Sequence, residues 1–182
     1  MLGRGRYLEL VDEGGWEYVH RHGATGVVVL VATTDRDDLV LVEQHRVPVH
    51  ARTIELPAGL IGDLPAAALE AREIAAAREL EEETGFRATR LDLLAEGPIS
   101  VGLSTETVSF FRATGLVRVG SGGGDESEKI TVHVVPIAEV PRFLHAKARD
   151  GALVDPKIFA GLYFVLVEPR GGGGGAGGGR LP

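Results

Sequence analysis

The sequence predicts a mixed α/β fold, with a mixed sheet carrying helices on its faces. Three observations point there. "TGVVVLVA" (25–32) is a continuous β-branched run, the mark of a strand buried on both faces. The segment from Pro65 to about Thr84 is rich in Ala, Leu, Glu and Arg, which favour a helix. Strand-like segments lie on both sides of that helix, and helix-like ones close the chain, an order that suits a sheet with helices packed on it.

In chain order, "YLELVDEGGWEYVHR" alternates apolar and polar residues around Gly14-Gly15 and reads as a two-stranded hairpin. After the buried run, the turn "TTDRDD" leads into the strand "LVLVEQ", and "RTIEL" is a short strand before the loop "PAGLIGD". Pro65 suits the first helical position, where its missing N–H costs nothing, and Gly85 is a natural stop. "TRLDLLAEG" and "TVSFFRATGLV" read as strands joined by the loop "PISVGLST". The Gly-rich acidic loop "GSGGGDESE" precedes the strand "KITVHVV". A helix follows from about Pro141 to Arg149, and an apolar one after Asp155-Pro156. The tail "GGGGGAGGG" has nothing to bury and is expected to be disordered. The division expected is a hairpin extension over 1–23, one domain over 24–168 and the tail over 169–182.

The 182 residues suffice for one domain with a real core. With 26 acidic against 19 basic residues the formal charge is -7, and no Lys/Arg-rich run appears. That balance repels a phosphate backbone, so no nucleic-acid partner is expected. Cysteine is absent, which excludes disulfides, thiol nucleophiles and Cys-ligated zinc. No apolar run reaches the roughly 18 residues of a membrane span. No secretory signal is legible at the start, so the expected compartment is the cytoplasm, with no membrane partner.

The chemistry sits in "RELEEETGF" (78–86). Helical residues three and four apart share a face, so Glu79, Glu82 and Glu83 point one way and Glu81 another. Three carboxylates on one face repel unless cations neutralise them. They also lie at the C-terminal end of the helix, where the macrodipole disfavours negative charge. A helix built only for stability would carry Lys or Arg there. Hard divalent ions take oxygen ligands and share them with phosphates, which makes the face a candidate metal site. Taken on composition alone, the same acidic run reads as a solvated surface.

From Glu70 onward the residues fit a known signature. Glu70 is followed by seven residues, then Arg78, Glu79, Leu80, Glu81, Glu82, Glu83, Thr84, Gly85 and Phe86. This resembles the box of the Nudix hydrolases, G-x5-E-x7-R-E-U-x-E-E-x-G-U, where U is bulky and apolar. Gly59 in "ELPAG" matches the opening glycine, but ten residues separate it from Glu70, an insertion of five at the loop–helix junction. "VEQHR", "ELPAG", "SVGLSTE" and "DESEKITV" resemble segments of the ADP-ribose pyrophosphatase branch, so that the similarity spans roughly Trp16 to Phe164. Val101 stands where that branch usually has proline.

The resemblance implies a Nudix-type α/β/α sandwich and metal-dependent hydrolysis of a nucleoside diphosphate linked to another moiety. Water attacks one phosphorus, and divalent ions, Mg2+ or Mn2+, activate it and neutralise the leaving phosphate. The ligands it implies are Glu79, Glu83, the neighbouring Glu82 and the backbone carbonyl of Ala58. Arg78 and Glu70 orient the ligand helix, and for Arg78 an internal ion pair is the preferred reading. The general base tends to come from the late acidic loop, which offers Asp125, Glu126 and Glu128. Glu128 is favoured for its place just before a strand, with Glu106 and a box glutamate such as Glu82 or Glu83 as alternatives. For the substrate, Arg46 is assigned to the diphosphate, Glu55 and Gly59 to positioning, and Trp16 to stacking on the base or to packing in the hairpin. The implied substrate is ADP-ribose or a related nucleoside diphosphate sugar, a small-molecule nucleotide in either case. Another nucleoside diphosphate derivative or a non-catalytic sensor are the alternatives. The resemblance also implies a homodimer with exchanged N-terminal strands.

Overall fold

The computed structural model describes residues 1–62, 71–124 and 129–167. The chain runs β1 (Gly3–Arg4), β2 (Leu8–Glu13), β3 (Trp16–Arg21), β4 (Gly26–Ala32), β5 (Asp38–Arg46), β6 (Ala51–Glu55) and β7 (Ala58–Ile61). It continues through α1 (Arg72–Thr84), β8 (Phe86–Pro98), β9 (Thr107–Arg118), β10 (Thr131–Pro136), α2 (Val140–Arg149), β11 (Leu153–Val154) and α3 (Lys157–Leu166).

Two mixed four-stranded sheets form the body, ordered β7-β4-β9-β8 and β10-β5-β6-β11. β4 is the spine of the first, antiparallel to β7 and parallel to β9. Its run of β-branched residues is buried on both faces, as the sequence predicts. Successive side chains on a strand point to opposite faces. Val28, Leu30 and Ala32 therefore join Ala75, Ala76 and Leu80 of α1 in one core cluster. Val29 and Val31 join Leu144 of α2 and Ile158 of α3 in another. Full burial of each such aliphatic side chain contributes about 1.5–3 kcal/mol before entropy is counted. The layers are thus α1, the strands, then α2 and α3, the expected α/β/α sandwich with two mixed sheets in place of one.

A separate three-stranded antiparallel sheet, β1-β2-β3, contains the predicted hairpin. Its turn places Gly14 and Gly15 at φ 61° and 85°, the left-handed region that glycine tolerates. The hairpin meets the body along the loop before β9, where the Val19 amide donates to the Leu103 carbonyl and the Thr105 amide to that of Val19.

Two expectations need correction, and two short strands go unpredicted. "PAGLIGD" is not all loop, because Ala58–Ile61 pairs with β4 as an edge strand, β7. Pro57 can accept, and its carbonyl takes the Leu30 amide, carrying the ladder past the proline. The helix does not run unbroken from Pro65, because Ala71 is extended (φ -67°, ψ 143°) and α1 begins after it. Pro65 itself lies outside the described residues, as does the tail 168–182. Finally, β1 and β11 are two-residue strands with no sequence prediction, too short to show a period.

Candidate active site

The last two turns of α1 pack against β7, and the fit is set by backbone. Gly59 lies directly under Glu79, so a Cβ at residue 59 would fall 1.9 Å from the Glu79 carboxyl carbon. The next residue back, Ala58, donates its amide to Glu83 Oε2 at 3.0 Å. Arg78 clamps the arrangement, with Nη1 donating to Glu79 Oε1 (2.8 Å) and Glu82 Oε2 (3.1 Å) and Nη2 to the Leu60 carbonyl (3.1 Å). That is the internal ion pair read from the sequence, extended by a tie to β7. Glu79 and Glu83 are buried, whereas Glu82 is exposed at the rim of the face. Glu81 points elsewhere, as the helical spacing requires, and forms a two-pronged pair with Arg87. That pairing holds the Glu81 carboxyl below its ordinary pKa, chiefly through the Arg87 hydrogen bonds.

The helix end is stabilised differently from what the dipole argument anticipates. No basic side chain lies in the last turn. Instead the Gly123 amide donates to the Glu83 carbonyl (2.8 Å) and the Gly124 amide to the Glu82 carbonyl (3.1 Å). Backbone N–H groups of the glycine-rich loop thus supply positive dipole ends to carbonyls the helix leaves unpaired. Only glycine permits this approach, since a Cβ at Gly122 (φ +67°) would lie 2.4 Å from the Thr84 carbonyl carbon, and backbone cannot swing aside. The capping satisfies the carbonyls and leaves the carboxylates as a separate electrostatic problem. It also ties the glycine segment 122–124 to α1. Asp125, Glu126 and Glu128 lie outside the described residues, as does Glu70.

A second charged pair sits three residues upstream of Ala58. Arg46 donates Nε and Nη2 to the two Glu55 carboxylate oxygens at 2.7 and 2.8 Å, and Thr53 Oγ1 donates to Oε1 at 2.6 Å. Burial pushes the Glu55 pKa up, but the Arg46 and Thr53 hydrogen bonds and the charges of Arg46 and Lys157 together bring it below the ordinary value. Glu55 therefore fixes Arg46, the relation the sequence suggests, while Arg46 keeps 41% of its side-chain surface exposed. The Nε–Nη2 edge is taken by Glu55, and the fixed guanidinium still carries the positive charge that phosphate oxygens attract.

Trp16 and Glu106 are placed by the hairpin, not by the box. Trp16 is 63% exposed and donates Nε1 to the Gly102 carbonyl at 3.4 Å. Glu106 pairs with Arg21 of β3 at 2.5 Å and, with His20, Thr25 and Thr105, lines a cavity of about 320 Å3. It stands at the start of β9, two strands over from β7, and Arg21 accounts for its charge. Sequence reasoning missed Thr53, the Leu60 carbonyl and the capping amides. The glycine-rich stretch at 120–124 was the available signal for the last of these.

The donor set can be tested against a divalent ion. Glu79, Glu82, Glu83 and the Ala58 backbone offer oxygens only, the preference of Mg2+ and Mn2+. Two of the carboxylates are buried, Glu79 in the side-chain space of Gly59 and Glu83 on the Ala58 amide. Paired buried carboxylates repel unless a cation offsets them, and Arg78 bonds Glu79 and Glu82. The residues present fit a hard divalent ion.

Comparison with known proteins agrees with this geometry. The NUDIX domain family model matches residues 20–155. The chain is 35% identical over 141 residues to an ADP-ribose pyrophosphatase of Mycobacterium tuberculosis (strain ATCC 25618 / H37Rv), spanning 77% of this chain and 64% of that protein. It is 30% identical to a GDP-mannose pyrophosphatase of Enterobacter sp. (strain 638), with 79% and 74% covered. A methanol dehydrogenase activator of Bacillus methanolicus is 30% identical, with 67% and 64% covered. The chain thus spans just under two thirds of the length of two of these three relatives. A crystal structure of an ADP compounds hydrolase superposes with a TM-score of 0.66 at 25% identity, covering 90% of this chain and 86% of that one. On the domain match, the spacing from Glu70 to Phe86 and the packing of Glu79 and Glu83 on β7, the chain belongs to the NUDIX family.

Proposed function

We propose that the protein hydrolyses the pyrophosphate bond of ADP-ribose or a related nucleoside diphosphate sugar, releasing a nucleoside monophosphate and a sugar phosphate. The observation that carries this reading is the pair of buried carboxylates, Glu79 and Glu83, seated on the backbone of Gly59 and Ala58. Glu79, Glu82, Glu83 and the Ala58 carbonyl would hold Mg2+ or Mn2+. When bound, the ion supplies Lewis-acid polarisation of the phosphate oxygens and a lowered pKa for water. Arg78 keeps two of the carboxylates in register, with Glu70 assigned to the same task. Arg46, held by Glu55, binds the diphosphate, and the exposed ring of Trp16 stacks on the base. Glu128, the base that the family resemblance favours, accepts the proton of the attacking water. The Arg21 pairing makes Glu106 the weaker candidate for that proton. The protein works in the cytoplasm as a homodimer. Exposed Tyr7, Leu8 and Leu10 on the hairpin sheet support the dimer.

The relatives named for ADP-ribose and GDP-mannose support the sugar nucleotide class. Val101 and the lengthened segment after Gly59 favour a second reading within the same chemistry, in which the second moiety is not a sugar. A panel of ADP-ribose, GDP-mannose, a dinucleoside tetraphosphate and coenzyme A, each with Mg2+ or Mn2+, decides between them by chromatography of the products. The expected result is AMP from ADP-ribose or GMP from GDP-mannose, abolished by a chelator. Tight binding of a sugar nucleotide without turnover would instead indicate a sensor, and inertness toward the whole panel would overturn the proposal.

A further inference from the structure

The hairpin sheet carries a second group of metal-ligating side chains on a different sheet from Glu79 and Glu83. The β2–β3 register sets Glu9 opposite His20. His22 lies two residues on, its amide donating to the Tyr7 carbonyl, so the pairing continues past the strand end. With a period of two, His20 and His22 share a face, and Glu9 shares it across the ladder. One ligating atom from each of the three lies within 4.8 Å of the others. Glu9 Oε2 and His22 Nε2 are 3.6 Å apart. A tetrahedral ion with bonds of about 2.0–2.1 Å separates its ligands by about 3.3 Å, close to that spacing.

Two further details point to a ligand. His22 Nε2 is buried and has no hydrogen-bond partner among the described residues, a state that costs free energy unless something occupies it. His20 Nδ1 is 2.9 Å from Thr105 Oγ1, which fixes the ring and leaves Nε2 for a ligand. A ligating histidine is commonly held through its other nitrogen in this way.

We propose that Glu9, His20 and His22 bind a borderline divalent transition ion, Zn2+ in the first instance. Imidazole nitrogens select such ions over Mg2+, so this site and the all-oxygen face of α1 take different metals. His20 is exposed, which leaves the fourth position to water. The ion cross-links β2 to β3 and, through Thr105, fastens the hairpin to the loop that carries Gly102 and Glu106. Its consequence is therefore the placement of Trp16 and Arg21, whose partners lie in that loop.

The test uses the whole chain in millimolar Mg2+, which saturates the oxygen ligands and competes poorly for imidazole. Zn2+ is titrated against a chromophoric chelator, and Co2+ is followed by its ligand-field absorption. One equivalent of each is expected, with Zn2+ displacing Co2+. Zn2+ affinity falls roughly 100-fold in His22→Ala and roughly 10-fold in Thr105→Ala, the scale of losing a ligand or its support. A Zn2+-dependent rise in melting temperature survives Glu79→Gln and disappears in the His20→Ala/His22→Ala double variant. Zn2+ binding undiminished in that double variant overturns the proposal, as does the absence of Zn2+ binding in Mg2+. Should the double variant not fold, Glu9→Gln and Thr105→Ala carry the same titration, and unchanged affinity in both overturns it equally.

Discussion

Gly59 and Glu79 show how a single missing Cβ shapes the site. Glu79 fills the space a side chain at residue 59 would need, at 1.9 Å from the ideal Cβ position. The intruding atoms are the far end of a flexible side chain, so Gly59→Ala displaces the carboxylate instead of breaking the backbone. Stability and activity should therefore separate. The melting temperature is expected to move by no more than about 4 °C, while turnover falls roughly 10–100-fold because a proposed ligand is misplaced. Thermal melts alongside steady-state rates check this, and an unchanged rate would remove Glu79 from the proposed ligand set. The same residue-scale logic shows what sequence carries well. The spacing from Glu70 to Gly85 separates Glu81 from its neighbours, and the Arg87 pair bears that out. It does not distinguish buried Glu83 from exposed Glu82, because the difference comes from β7, which no helical period encodes.

At the scale of elements, Glu43 ties four of them together. Its carboxylate on β5 accepts from Lys147 Nζ of α2 (2.6 Å) and Arg52 Nη1 of β6 (2.5 Å), with His133 Nε2 of β10 at 2.9 Å. Burial pushes its pKa up, but the hydrogen bonds from Lys147, His133 and Arg52 and the Lys147 charge win, lowering it to about 2. A depressed carboxylate pKa contributes stability that is present above the unfolded value of 4.5 and lost as pH falls toward about 2. The amount is on the order of 3 kcal/mol for the full shift. Glu43→Gln should remove this acid-labile part, so acid titrations of wild type and variant should converge near pH 2. Parallel curves down to that pH would deny Glu43 the role. Such long-range ties explain what was legible. β4, β5, β9, β10, α2 and α3 could be read because each carries its own period or capping residues. β7 was hidden by Pro57, whose carbonyl nonetheless continues the ladder. The start of α1 was hidden because Ala71 is a good helix former, yet it sits extended as the N-cap with no capping side chain. The Glu43 cluster joins residues 9 to 104 positions apart, and no local pattern reveals it.

For the whole molecule, the hairpin sheet is the part that the body's core does not include. Leu8 and Leu10 lie on one face of β2, opposite the Glu9 face, and both are exposed, as is Tyr7. A second copy covering that face gives a particle of twice the 19.2 kDa chain mass by light scattering. Leu8→Asp/Leu10→Asp should halve it, and a wild-type monomer would contradict the proposed dimer. The body itself has an order of assembly built into its topology. Its central parallel pair, β4 with β9, matches Val27 to Val108, so it closes a loop of about 80 residues. Antiparallel neighbours such as β8 and β9, or β5 and β6, are local and close early, whereas this pairing is the slow step that contact order penalises. The seat of Glu79 and Glu83 on β7 is local in sequence, but the Gly123 and Gly124 amides that cap α1 come from beyond β9, so the end of the helix is completed only with that late closure. A nascent chain that stops short of Gly123 thus carries the acidic face with its helix end uncapped, and gains the last turn's partners only after β9 has passed.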